Sequence, residues 1–132
     1  MDLKKIIPDS GPNINEVKKY INKYKDETIV IKCGGSVLNE KKLFDQFIED
    51  ISILNKLDLS ICLIHGGGIL ISKKLKEKNI PNKFINGLRI TNEDTIKVVE
   101  EALIELNLEI ISNLKKKNCN AQSITAKKKL II

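Results

Sequence analysis

The sequence predicts an α/β fold with a mainly parallel sheet, on three observations. Two short apolar runs, Thr28-Ile29-Val30-Ile31-Lys32-Cys33 and Ser60-Ile61-Cys62-Leu63-Ile64, have the length of strands. Each is followed by glycines, Gly34-Gly35 after the first and Gly66-Gly67-Gly68 after the second. Between them, from about residue 39 to residue 57, apolar residues recur at helical spacing. Strand, helix, strand with tight turns is a βαβ unit, which favours parallel pairing and a right-handed crossover.

The elements follow in order. Residues 1–12 carry Pro8, Gly11 and Pro12 and read as an irregular lead-in. From Asn13 to Lys25, Ile14, Val17, Tyr20, Ile21 and Tyr24 recur as one helical face, with Asn13 as N-cap. This helix packs either on the domain or against a second copy. In the helix after the first strand, Leu43, Phe44, Phe47, Ile48, Ile51 and Leu54 form the core face, and Asp58 ends it. The four apolar residues Ile61–Ile64 suit a strand buried on both faces. A helix over residues 69–78 has apolar and basic faces, and Pro81 marks the break after it.

Lys83-Phe84-Ile85, Asn86-Gly87 and Leu88-Arg89-Ile90 read as a β-hairpin, because Asn-Gly is the strongest short signal for a primed two-residue turn. Thr91 with Asp94 marks the start of a helix running to about Lys117. Its stripe of Ile96, Val99, Leu103, Leu106 and Ile110 is widened by Ala102, Ile104, Leu108 and Ile111. Apolar surface that broad suits either a core role alone or contact with both the sheet and a partner subunit. Ala121–Thr125 reads as a third strand, and Leu130-Ile131-Ile132 begins another apolar run that stops. A larger protein is therefore expected, of which this is half, or a sheet completed by another chain.

Composition narrows the function classes. A length of 132 residues suits one domain with a real core, and 42% hydrophobic residues argue against disorder. With 4% aromatics there is little surface on which nucleic-acid bases could stack. The net charge of +6 is matched by the six lysines of Lys115–Lys117 and Lys127–Lys129. These read as solvated local runs, and polyanion binding is the alternative. Cys33, Cys62 and Cys119 form no CxxC pair, so neither a zinc site nor a disulfide framework is expected. No apolar run reaches transmembrane length and residues 1–12 lack a signal-peptide core, so a cytoplasmic protein is expected.

The chemistry is expected at the glycine turns. A strand, then glycines, then a helix make an anion site: missing side chains admit a ligand to the backbone, and the helix start aims N–H groups and positive dipole at it. Two such turns on neighbouring strands could cradle one anionic group. Lys32, one residue before Cys33-Gly34, could reach that anion, and phosphoryl transfer needs backbone donors beside a cation. The alternative for Lys32 is a stem covering the sheet rim with its head in water. Gly66–Gly68 is neither a P-loop, since no Gly-Lys-Ser/Thr follows, nor a G-x-G-x-x-G fingerprint. His65, the only histidine, reads as a hydrogen-bonded structural group. Arg89, just past the hairpin turn, either clamps a carboxylate or is ordinary surface charge. No Ser-His-Asp set, carboxylate pair or metal-ligand cluster is evident.

Ile29-Val30-Ile31-Lys32-Cys33-Gly34-Gly35-Ser36, then Leu63-Ile64-His65-Gly66-Gly67-Gly68, then Asn86-Gly87-Leu88-Arg89-Ile90-Thr91 together resemble the amino-acid kinase family. Within it, the Gly-Leu-Arg-hydrophobic-Thr hairpin is similar to the branch that phosphorylates N-acetyl-L-glutamate in arginine biosynthesis. The resemblance implies a three-layer αβα sandwich with a mainly parallel sheet. Residues 28–132 would be the acyl-substrate half, after a lead-in and amphipathic helix over 1–27, with the nucleotide half absent. It implies Lys32 as the catalytic cation, Gly34, Gly35 and Gly66 near the phosphates, and Gly67 with Gly68 at the acceptor carboxylate. Arg89 would hold the α-carboxylate.

ATP with Mg2+ would be the co-substrate, N-acetyl-L-glutamate the acceptor, and no metal would be held by side chains of this chain. A homo-oligomer is implied, a dimer through the helix of residues 92–117 or a hexamer using the leading helix, with neither nucleic acid nor membrane as partner. The sequence departs from the family at Ile69-Leu70, where proline and a polar residue are common. It departs again at Thr125-Ala126-Lys127-Lys128-Lys129, where a Gly-x-Asp-Gly-like turn is usual. The alternative in a different class is a non-catalytic module that binds a carboxylate or a partner subunit.

Overall fold

The computed structural model describes residues 3–7 and 9–125. The runs Lys127–Lys129 and Leu130–Ile132 lie outside the described residues. After a short 3-10 turn at Leu3–Lys5 come α1 (Ile14–Tyr24), β1 (Thr28–Cys33), α2 (Gly35–Asn39), α3 (Lys41–Lys56), β2 (Ser60–His65) and α4 (Gly68–Glu77). The hairpin β3 (Phe84–Ile85) and β4 (Leu88–Arg89) precedes the long helix α5 (Glu93–Lys116).

The βαβ unit forms as expected. β1 and β2 pair in parallel, in a register that sets Lys32 opposite Ile64 and Cys33 opposite His65. One face of this pair carries Ile31, Ile61 and Leu63, which pack on Phe44, Ile48 and Ile51 of α3 and on Ile110 and Leu114 of α5. The expected burial of both faces of β2 is not observed. The second face, with Val30 61% and Ile64 52% exposed, has no cover among the described residues. A second core lies between α4 and α5, where Ile71 and Leu75 meet Val98 and Ala102. Ala102 is completely buried, and its small side chain suits close approach of the two helices.

Local chemistry explains the boundaries. Asn13 caps α1 by accepting from the Asn15 N–H at 2.8 Å, and Val17 is the buried residue of that helix. The helix expected over residues 39–57 breaks at Glu40, which is extended and whose carboxylate accepts from the Lys42 N–H. Asn39, closing the short α2, donates to the Gly35 carbonyl. Asp58 terminates α3 in the left-handed region at φ 58°. The hairpin turn is of the expected primed kind, with Asn86 and Gly87 at φ 50° and 79°.

Two expectations fail for identifiable reasons. Asn92, not Thr91, caps α5: its side chain accepts from the Thr95 N–H, while the Thr91 hydroxyl donates back to the Arg89 carbonyl. The buried stripe of α5 is accordingly Thr95, Val98, Ala102, Leu106, Ile110 and Leu114, and Ile96, Ile104 and Leu108 face outward. Ala121–Thr125 is not a strand. The turn after α5 is closed locally by Cys119 N–H to Leu114 C=O and Ala121 N–H to Cys119 C=O. Beyond it the chain keeps a two-residue burial alternation but joins no ladder. A cavity of about 770 Å³ is lined by β2, α5 and residues 119–122 and 124. No helix is long and apolar enough to cross a membrane, among the described residues.

Candidate functional site

Parallel pairing brings the carboxyl ends of β1 and β2 together, and both glycine turns leave the sheet there. The Gly66 N–H donates to the Cys33 carbonyl at 3.3 Å, tying one turn to the other beyond the last paired residues. Ile69 closes the gap further on: a Cβ on Gly35 would lie 3.7 Å from its side chain. The two turns therefore share one rim. In parallel sheets this rim, beyond the carboxyl ends of the strands, is where ligands bind.

The glycines divide into two kinds. A Cβ on Gly34, Gly66 or Gly68 would meet nothing within 4 Å, so these positions border open space. At Gly67 a Cβ would lie 2.8 Å from Leu103 Cδ2, with Leu106 and Ile71 also close. Gly67 thus lets the start of α4 sit against α5. It caps α4 without a side-chain hydrogen bond, so the first N–H groups of that ten-residue helix are left toward the rim.

Arg89 is drawn to the same place. β4 puts it opposite Phe84, whose ring centre lies 4.7 Å from the guanidinium carbon. Nη2 donates to the Gly68 carbonyl at 3.3 Å and to Ser72 Oγ at 3.2 Å, and Nη1 donates to Asn82 Oδ1. A fixed guanidinium thus stands beside the first turn of α4, 21 residues away in sequence from Gly68. Ser72 and Asn82 escaped sequence reasoning. Ser72 was detectable in principle, one helical turn from Gly68 on the same face, whereas Asn82 sits in a loop without periodicity.

Lys32 is exposed and lies on the uncovered sheet face with Val30; no ion pair among the described residues engages it. Next to it, burial pushes the Cys33 thiol up, which keeps it protonated and unreactive. His65 is the structural group expected. Its Nδ1 faces the Gly66 carbonyl at 3.2 Å and its Nε2 faces Asn107 Nδ2 at 3.3 Å, consistent with Nδ1 donating and Nε2 accepting. Through Asn107 the end of β2 is fastened to α5. No group of three or more His, Cys, Asp or Glu side chains able to hold a metal ion occurs among the described residues.

The family model described as the amino acid kinase family matches residues 27–132. The chain is 53% identical over 131 residues to the acetylglutamate kinase of Pelagibacter ubique, covering 99% of this chain and 46% of that protein. It is 40% identical over 109 residues to the acetylglutamate kinase of Campylobacter fetus, covering 82% of this chain and 39% of the relative. The chain thus spans less than half the length of these relatives. Among solved structures, it is similar in fold to N-acetylglutamate synthase from Neisseria gonorrhoeae in complex with coenzyme A and N-acetyl-glutamate. That likeness has a TM-score of 0.64 at 20% identity, over 78% of this chain and 24% of the other.

Proposed function

Because this chain belongs to the amino acid kinase family, we propose that it is the acyl-substrate half of a kinase that moves the γ-phosphoryl group of ATP onto the side-chain carboxylate of N-acetyl-L-glutamate. The observation that carries this reading is the β1–β2 register, which sets two glycine turns on one rim with Arg89 fixed beside Gly68. The names of the relatives support the choice of substrate. Residues 28–132 are assigned to the substrate half and residues 1–27 to the lead-in.

In this reading Gly67 and Gly68, at the start of α4, hold the reacting carboxylate, and Gly34, Gly35 and Gly66 leave room for the phosphates. Arg89 pairs with the α-carboxylate. A carboxylate oxygen attacks the γ-phosphorus in line, the bond to the bridging oxygen of ADP breaks, and ADP leaves with that electron pair. The Lys32 ammonium stabilises charge on the equatorial oxygens during transfer. The product is an acyl phosphate, with no covalent enzyme intermediate. The described side chains offer no cage for Mg2+, which would enter with the ATP phosphates.

The nucleotide-binding part is assigned to the remainder of the enzyme, since the match covers under half of the relatives. Subunit pairing is assigned to α5, whose Ile96, Ile104 and Leu108 are exposed, and further assembly to α1, where Tyr20 is exposed. Three free cysteines fit a reducing cytoplasm.

The test joins this chain to the remaining portion of the Pelagibacter ubique relative and measures N-acetyl-L-glutamate-dependent ATP turnover. Lys32→Ala is expected to lower kcat about 100-fold or more. Arg89→Ala is expected to lower kcat/KM mainly through KM. Unchanged kcat with Lys32→Ala would remove the catalytic assignment. Binding of N-acetyl-L-glutamate without any turnover would favour the carboxylate-binding module instead.

A further inference from the structure

We infer that Ser72 and Asn82 are positioning residues that set the guanidinium of Arg89, and through it the preference for an acceptor bearing an α-carboxylate. The inference rests on the proposed role of Arg89, and neither residue is required to touch the substrate.

The hydrogen bonds around Ser72 leave its hydroxyl no freedom. Its Oγ donates to the Gly68 carbonyl at 2.8 Å and accepts from Arg89 Nη2 at 3.2 Å and from Asn82 Nδ2 at 3.1 Å. One donor and two acceptor sites are the whole capacity of a hydroxyl. Asn82 is used at both ends of its amide, donating to Ser72 and accepting from Arg89 Nη1. The Phe84 ring, its centre 4.7 Å from the guanidinium carbon, backs the group while these two residues hold its nitrogens. The remaining guanidinium N–H groups have no partner among the described residues and are available to a carboxylate.

Helix geometry explains why Ser72 can do this. Gly68 and Ser72 are four residues apart on α4, so the hydroxyl lies one turn above the glycine that borders the rim. Asn82 reaches across from the loop before β3, and the Ile90 N–H to Lys83 carbonyl bond closes the hairpin behind it. Without these partners Arg89, on an exposed two-residue strand, would sample many rotamers. Ordering it on binding would then weaken the substrate complex.

The test uses the joined enzyme and two acceptors, N-acetyl-L-glutamate and 4-acetamidobutanoate, which keeps the reacting carboxylate and lacks the α-carboxylate. Ser72→Ala and Asn82→Ala are each expected to raise KM for N-acetyl-L-glutamate about 5- to 10-fold, the loss of one hydrogen bond to a charged group. The expected change in kcat is under about twofold, and KM for 4-acetamidobutanoate should stay constant. On an Arg89→Ala background neither change should add a further effect. Ser72→Thr, which keeps the hydroxyl that Arg89 uses, should restore most of the loss.

Equal KM increases for both acceptors, or additive effects on the Arg89→Ala background, would overturn the inference and leave the proposed function standing. If Arg89→Ala itself fails to raise KM for N-acetyl-L-glutamate, the α-carboxylate reading falls and this inference with it. Variants that melt early are read through the Ser72→Thr replacement, whose failure to rescue would also overturn it.

Discussion

At the scale of single residues, adjacent glycines separate packing from chemistry. Gly67→Ala would bring a methyl to 2.8 Å from Leu103 Cδ2, and Leu103 is a side-chain end that can turn aside, so a cost of about 1 kcal/mol is expected. Gly66→Ala meets nothing within 4 Å and should leave stability within about 0.5 kcal/mol of the parent. On the proposed function its methyl intrudes on the phosphate path, so turnover should fall while the denaturant midpoint stays put. Urea titrations beside kinetics of the two variants check the contrast. Both glycines stood in one motif in the sequence, yet their different tasks were not legible there, because it is chiefly Leu103 and Leu106 of α5, distant in sequence, that distinguish them. The same holds for Arg89: its type and place after the Asn-Gly turn were visible, and its anchors Ser72 and Asn82 were not.

At the scale of elements, caps and ion pairs decide local strength. Asn92→Ala should destabilise by about 1 kcal/mol through loss of the α5 N-cap, and Thr91→Ala by much less, since its hydroxyl satisfies only a carbonyl already at the surface. Thermal melts of the two variants test this order. Thr91 with Asp94 located the helix start to within a residue, and the extended backbone at Asn92 gives the cap to that neighbour instead.

Lys74–Glu105 and Lys78–Glu101, each at 2.6 Å, join α4 to α5, and Lys117 pairs with Glu49 to join α5 to α3. The bonds from Lys117 and Lys78 hold the Glu49 and Glu101 carboxyls below their ordinary value. A depressed carboxyl contributes stability above its unfolded pKa, and that contribution is lost as pH falls through the folded value. Glu105 holds the Lys74 ammonium above its ordinary value, so that contribution is complete below the unfolded lysine pKa and is lost as pH rises through the folded one. Lys78–Glu101 and Lys117–Glu49 are solvent-exposed and individually weak, while the Lys74 side chain is half-buried. A modest fall in Tm below about pH 4.5 is expected, and Lys117→Met should flatten it. An equal acid slope in that variant would contradict the assignment to Glu49.

At the scale of the whole molecule, the parallel α/β design was legible because apolar runs, glycines and a three-and-four-residue helical period all agreed. The elements that departed from expectation are those whose fate depends on neighbours. Glu40 splits a helix that periodicity drew as one, and Ala121–Thr125 has strand-like alternation without a strand to pair with. Val30 and Ile64, apolar in sequence, lie on a face that no described residue covers. The outward Ile96, Ile104 and Leu108 on α5 lead to one more prediction: Leu108→Lys should shift the joined enzyme toward a smaller species in sedimentation velocity, with its fold intact.

The central claim is that the two glycine turns form one site, with the acceptor carboxylate at Gly67 and Gly68 and the phosphates at Gly34, Gly35 and Gly66. Backbone amide shifts of the joined enzyme, followed by nuclear magnetic resonance as N-acetyl-L-glutamate and then a non-hydrolysable ATP analogue are added, test it most directly. Saturable shifts at Gly67 or Gly68 with the acceptor, and at Gly34 or Gly35 with the nucleotide, are the predicted result. Acceptor binding that leaves Gly67 and Gly68 unmoved, or nucleotide binding that leaves Gly34 and Gly35 unmoved, would contradict it.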